Sequence, residues 1–95
     1  MRVIWTREAA ADRHDLWHRI EADDPAAAIR MDQLIGEAAD RLGEFPLLGR
    51  RAKVPGTREI FPHDSYRLVY EVEGDVVWVL AVVHVARQWP PARGR

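Results

Sequence analysis

The chain contains no cysteine and a single lysine, Lys53, and it shows neither an internal repeat nor a low-complexity stretch. Without thiols no disulfide framework holds it together. Its longest apolar run, "VVWVLAVV", falls far short of the ~20 residues of a membrane span. The opening "MRVIWTREAA" lacks an apolar stretch long enough for the core of a signal peptide. These absences lead to the expectation of a soluble, cytoplasmic protein with no membrane partner. A formal net charge of −1 and a pI near 6.4 argue against a protein that coats nucleic acid through charge alone.

What is present suits one small globular domain. Ninety-five residues suffice for a single core, with 47% apolar and 31% charged residues. The near-zero charge hides an asymmetry. Residues 1–45 carry 6 Arg against 10 Asp and Glu, whereas residues 46–95 carry 8 Arg and Lys against 5, so the halves are −4 and +3. The second half is therefore the candidate face for an anionic partner.

Val3, Ile4 and Trp5 form a short β-type run, and Thr6 is a suitable N-cap for a helix over residues 7–21. Its inner side carries Ala9, Arg13, Leu16, Trp17 and Ile20, with the Arg13 stem at the margin. Asp24 and Pro25 then start a second helix, in which Ala27, Met31, Leu34, Ala38 and Leu42 recur and Gly43 offers a left-handed stop. Two helices joined by so short a turn predict an antiparallel hairpin. "GEFPLLGRRAKVPG" reads as a loop without regular structure. Strands are expected over Thr57 to Phe61, Tyr66 to Glu73 and Val76 to Ala86, with Gly74 and Asp75 as a tight turn. The fold class is thus α+β, in the order β-α-α-β-β-β. The helical hairpin packs on one face of a mostly antiparallel four-stranded sheet, with residues 91–95 as a mobile tail.

Counting register outward from two-residue turns sets Val82 opposite Arg67 and His84 opposite Ser65. Ile60 then faces Arg67, and Arg58 joins the same open face. Leu68, Tyr70, Val72, Val77, Val79, Ala81, Val83 and Val85 point to the helices. Arg58, Arg67, His84 and the following Arg87, Gln88 and Trp89 are therefore expected to converge, near the loop residues Arg50, Arg51 and Lys53. In the plainer alternative, Arg58 and Arg67 pair with Glu59 or Glu71, His84 is a satisfied strand-end histidine, and Trp89 closes the core. His14, His18 and His63 read as solvated, with no spacing that suggests a metal site, and no cofactor is expected.

The pieces "DLWHRI", "FPLLGR", "TREI" and "YRLVYEVEGDVVWVLAVVHVARQWP" together resemble the RelE/ParE superfamily of bacterial type II toxin–antitoxin toxins, over nearly the whole chain. The resemblance implies a growth-arresting protein neutralised by a cognate antitoxin, as a possible toxin–antitoxin hetero-oligomer. It offers two targets. In ribosome-dependent mRNA endonucleases of this superfamily a 2′-hydroxyl attacks the adjacent phosphate. By that likeness Arg67 and Arg87 match charge-stabilising positions, His84 is the acid/base candidate, and Arg50, Arg51 and Lys53 hold the RNA backbone.

The sequence departs from the endonucleases in having no tyrosine near the end of the final strand, one lysine and a near-neutral charge. The ParE-like branch, which inhibits DNA gyrase and needs no catalytic set, is slightly favoured on those grounds. Arg50, Arg51, Lys53, Arg58 and Trp89 are then contact residues for nucleic acid or a partner protein. A third reading is a binding module that has lost toxicity. Acidic residues of the antitoxin are expected to meet Arg58, Arg67 and Arg87.

Overall fold

A computed structural model describes residues 1–91. The expected C-terminal tail lies, apart from Pro91, outside them. The described elements are β1 (Arg2–Trp5), α1 (Arg7–Glu21), α2 (Pro25–Glu44), β2 (Arg50–Arg51), β3 (Thr57–His63), β4 (Tyr66–Glu73) and β5 (Val76–His84).

Both helices start where side-chain chemistry places their caps. The Thr6 hydroxyl accepts from the Ala9 amide at 3.1 Å and donates to the Val79 carbonyl at 2.9 Å. One residue thereby ends β1, opens α1 and fastens both to β5. Asp24 caps α2 through the Ala27 amide, and Pro25 occupies the first turn, where its missing N–H costs nothing. The left-handed stop expected at Gly43 is absent. The second helix continues to Glu44, and among the described residues positive φ is confined to Gly56 and Gly74. Gly43 serves close approach instead. The Met1 ammonium donates to its carbonyl at 2.7 Å, and a Cβ at Gly43 would lie 2.9 Å from the Met1 oxygen.

The sheet has five strands in the order β1-β5-β4-β3-β2, not the expected four. The first strand runs parallel to β5, and the remaining pairs are antiparallel. The added strand is the Arg50–Arg51 pair, which lies along Glu59 and Arg58. It is too short to leave a pattern in the sequence.

The helical hairpin covers one face of this sheet. Ala9 and Leu16 of α1 and Ile35, Ala38, Ala39 and Leu42 of α2 meet Ile60, Leu68, Tyr70, Val77, Val79 and Val82 in the core. Each fully buried Leu or Ile contributes about 1.5–3 kcal/mol relative to an exposed one. The inner face of α2 passes through Ile35, whereas Leu34, expected in the core, is 41% exposed. Arg13 does more than line the margin. Its Nε and Nη2 grip the Asp32 carboxylate at 2.6 and 3.1 Å, locking α1 to α2, and its guanidinium lies 4.9 Å from the Trp5 ring centroid.

A second clamp joins the loop after α2 to the sheet. The buried Tyr70 hydroxyl donates to the Pro46 carbonyl at 2.7 Å and accepts from the Gly49 amide at 2.9 Å. Gly49 has no room for a side chain, since a Cβ there would stand 2.7 Å from the Glu59 oxygen and 2.8 Å from the Tyr70 ring. Burial pushes the Tyr70 phenol above its ordinary range, against the Gly49 hydrogen bond and the nearby Arg58 charge.

Candidate functional site

Register decides which side chains share a surface, and both hairpins shift by one residue from the expected count. From the Gly74 turn the pairs run as expected to Tyr70↔Val79, but the next pair is Val69↔Ala81. Leu80 is the extra residue of a β-bulge. Beyond it Arg67 pairs with Val83 and Tyr66 with His84, so Val82 and His84 lie on the helix side. In the other hairpin the turn is centred on Asp64 and Ser65, and the ladder shifts between Ile60 and His63. Pro62, which has no N–H to give the ladder, sits in that interval. Arg58 consequently pairs with Tyr70 and Glu59 with Val69. The expected convergence of Arg58, Arg67 and His84 on one open face is overturned.

The positive groups separate into three places. On the outer face Glu59, only 6% exposed, holds two of them: Arg50 Nε lies 3.0 Å from Oε1 and Arg67 Nη1 lies 3.0 Å from Oε2. Arg67 also donates through Nη2 to the Arg87 carbonyl at 2.8 Å, tying the segment after β5 to the sheet. Its Nε is buried without a partner. The Arg50 guanidinium lies over Phe61, 5.0 Å from its centroid. Of the plainer alternative, the Arg67–Glu59 pair is therefore present.

The second place is an open groove of about 430 Å³ beside the loop before β3, where Arg51 and Arg58 line the wall with Leu47 and Val72. Arg58 Nη1 donates to the Gly49 carbonyl at 2.8 Å, so this arginine braces the Tyr70 clamp. Lys53 is exposed on the same loop.

The third place is a groove of about 500 Å³ between α1 and the end of β5. His84, Arg87, Gln88 and Trp89 all line it, facing Glu8, Asp12, Asp15 and Arg19 of α1. His84 packs edge-on against Tyr66 with centroids 5.2 Å apart. Its Nδ1 accepts from the Ala86 amide at 3.1 Å, which leaves the ring proton of the neutral form on Nε2. The Asp12 carboxylate accepts from the Val82 amide at 3.1 Å. Burial raises the Asp12 pKa above its ordinary value, the Val82 hydrogen bond opposes the rise, and Asp15 and Glu8 add to it.

Sequence reasoning missed the carboxylates of this groove, and it offered Glu59 as a partner for Arg67 without foreseeing that Arg50 shares it. The signal for Glu59 was its alternation with Arg58, which obliges the two to occupy opposite faces. Among the described residues no group of three or more His, Cys, Asp or Glu could hold a metal ion. No helix there is long and apolar enough to cross a membrane.

A helical hairpin on one face of a mixed five-stranded sheet is the architecture of a known class of small toxins. The chain belongs to the ParE toxin family of type II toxin–antitoxin systems, whose pattern, described as the ParE toxin of parDE, matches residues 3–89. It is 39% identical over 90 residues to Y4kP of Sinorhizobium fredii, an inferred toxin, covering 94% of this chain and 93% of that protein. It is 35% identical over 85 residues to Toxin RelE2 of Caulobacter vibrioides, covering 90% and 96%. A structure of the chromosomal ParDE system from P. aeruginosa superposes with a TM-score of 0.80 at 27% identity, covering 90% of this chain and 96% of that one. A YoeB/ParE toxin from Agrobacterium tumefaciens shares the fold, at a TM-score of 0.66 and 21% identity, covering 88% and 98%.

Proposed function

We propose that this chain arrests bacterial growth by inhibiting DNA gyrase in the cytoplasm and is held inactive by a cognate antitoxin. The observation that carries the choice of target is the state of the groups RNA cleavage would need. Arg67 is engaged by Glu59 and by the Arg87 carbonyl, and His84 faces a wall bearing Glu8, Asp12 and Asp15 with one cation, Arg19. A wall of three carboxylates to one arginine repels a phosphodiester where a cleaving site must attract it. Arg58, meanwhile, braces a loop toward the β2 edge of the sheet, away from this groove.

One observation favours the endonuclease reading instead: His84, Arg87 and Trp89 share one groove, and His84 carries its ring proton on the free Nε2. An imidazole so disposed could protonate a leaving oxygen, and an indole could stack on a base.

The deciding experiment adds the purified protein to a gyrase supercoiling assay and to ribosomes programmed with a defined mRNA. Lost supercoiling with intact mRNA is the expected result. Cleavage in the ribosomal A site that disappears in His84→Ala or Arg67→Ala would replace gyrase inhibition with RNA cleavage. Growth unaffected by expression without a partner would leave only the non-toxic binding module.

The antitoxin contact is proposed at the exposed apolar run after α2. Phe45, Leu47 and Leu48 are 58%, 66% and 54% exposed and adjoin Arg50, Arg51 and Lys53. A partner segment with apolar anchors and acidic residues matches that composition. Of the three arginines expected to meet the antitoxin, Arg67 is already paired and mostly buried, so the exposed Arg51 and Lys53 take its part.

A further inference from the structure

The exposed face of α1 carries a pair of histidines to which the proposed function assigns no part. His14 and His18 stand one helical turn apart and bring their Nε2 atoms to 3.1 Å, with ring centroids 4.4 Å apart. Such i, i+4 side chains face each other across a turn, so the helix itself fixes their spacing. Two imidazole nitrogens pointed at one spot have more than one use. They can share a proton, or they can share a metal ion.

We propose that His14 and His18 form a bidentate site for a borderline first-row divalent cation of the Cu²⁺, Ni²⁺ and Zn²⁺ class. Geometry carries the assignment. With nitrogen–metal bonds of 2.0–2.1 Å, nitrogens 3.1 Å apart subtend roughly 95–102° at the ion, between the square-planar and tetrahedral angles. Both rings are exposed, so neither is held by packing and small rotations can aim both lone pairs at the ion.

The surroundings suit the charge and leave room for it. Glu21 Oε1 lies 3.7 Å from His18 Nδ1, on the far side of that ring from His14. At that distance the carboxylate makes no direct hydrogen bond, but it stands ready to accept from Nδ1–H once Nε2 holds an ion. Of the two arginines that flank the pair in sequence, Arg13 is neutralised by Asp32, and Arg19 lines the groove between α1 and the end of β5. Beside the pair an open cleft of about 360 Å³, lined by Ala10, Arg13, Trp17 and Asp32, provides space for the ion's remaining water ligands. Two nitrogen donors select against Mg²⁺ and Ca²⁺, which require oxygen.

The test is a titration of the purified protein with Cu²⁺, Ni²⁺, Zn²⁺ and, as a control, Mg²⁺, followed by calorimetry and by electron paramagnetic resonance of the Cu²⁺ form. One equivalent of Cu²⁺ is expected to bind with two equatorial nitrogens, with affinity in the order Cu²⁺ above Ni²⁺ and Zn²⁺, and Mg²⁺ is expected not to bind. His14→Ala and His18→Ala should each lower the affinity roughly tenfold or more and leave one nitrogen in the spectrum. Circular dichroism should show both variants folded, since neither ring is buried. Unchanged Cu²⁺ affinity in the double variant H14A/H18A, or no binding by the parent protein at millimolar ion, overturns the proposal.

Discussion

Asp12 of α1 accepts a hydrogen bond from the backbone N–H of Val82 in β5 at 3.1 Å. The contact stands where β1 has run out. Trp5 pairs with Val79, Thr6 takes the Val79 carbonyl, and past that point no strand among the described residues lies beside β5 on this side. A helix side chain thus satisfies a donor that a longer first strand would have satisfied.

Replacing Asp12 separates the acceptor from its charge. Asp12→Ala leaves the Val82 N–H unpaired and should cost roughly 1–3 kcal/mol in urea unfolding. Asp12→Asn keeps an acceptor oxygen and removes a charge that burial disfavours, so it should cost far less at pH 7. The sign of the pH effect follows from the raised pKa. The folded state holds the proton more tightly than the unfolded one, so this group's contribution is fully present below about 3.8 and is lost as pH rises through the higher folded-state value. Stability curves for the parent and Asp12→Asn should therefore diverge across that interval and run parallel above it.

Tyr70→Phe removes the hydroxyl that serves Gly49 and Pro46 at once. The loss should be roughly 1–3 kcal/mol, because the Gly49 N–H stays buried without a partner. Gly49→Ala should be worse, since its Cβ meets backbone as well as ring. The raised phenol pKa predicts stability present below pH 10 and lost as pH rises through the folded-state value. Alkaline unfolding followed by circular dichroism should lose that component in Tyr70→Phe.

Glu59→Ala leaves Arg67 mostly buried beside Arg50 with no counter-charge, at an expected cost of roughly 3 kcal/mol. The double replacement Glu59→Leu with Arg67→Met should recover most of that loss. If gyrase is the target and Arg67 serves only the fold, cells expressing the double variant should still stop growing. Recovered stability with abolished growth arrest would instead assign Arg67 a direct role.

Leu47→Asp and Leu48→Asp change exposed side chains, so both variants should unfold at the parent's urea midpoint. Antitoxin affinity measured by calorimetry should fall about tenfold or more, equivalent to about 1.4 kcal/mol. Parent affinity in both variants would move the antitoxin contact elsewhere.

The order of the elements other than β2, both N-caps, the bounds of α1 and the Gly74 turn were legible because local chemistry sets them. Thr6, Asp24 with Pro25, and Gly74 act through neighbours a few residues away. The composition of the faces was not legible in the same way. Leu80 is as good a strand residue as any around it, so nothing in its side chain announces that it is unpaired. The shift near Pro62 did carry a signal, since a proline between laddered strands demands an irregularity. The second helix turned on a similar ambiguity: Leu34 and Ile35 are adjacent apolar residues, and tertiary packing chose the latter. At the candidate site, His84, Arg87, Gln88 and Trp89 do gather, but beneath the helices' flank and opposite acids.

Leu80 makes β5 a strand of two parities. On its turn-proximal half the odd-numbered side chains Val77 and Val79 are inward, and on its distal half the even-numbered Val82 takes over. Deleting that one codon would close the bulge and leave the rows as they are, because Val79 and Ala81 would then alternate normally and His84 would still lie inward. Relatives of equal fold that lack this residue would thus keep the same inward row, and an alignment drawn without a gap at Leu80 would equate side chains that face opposite ways.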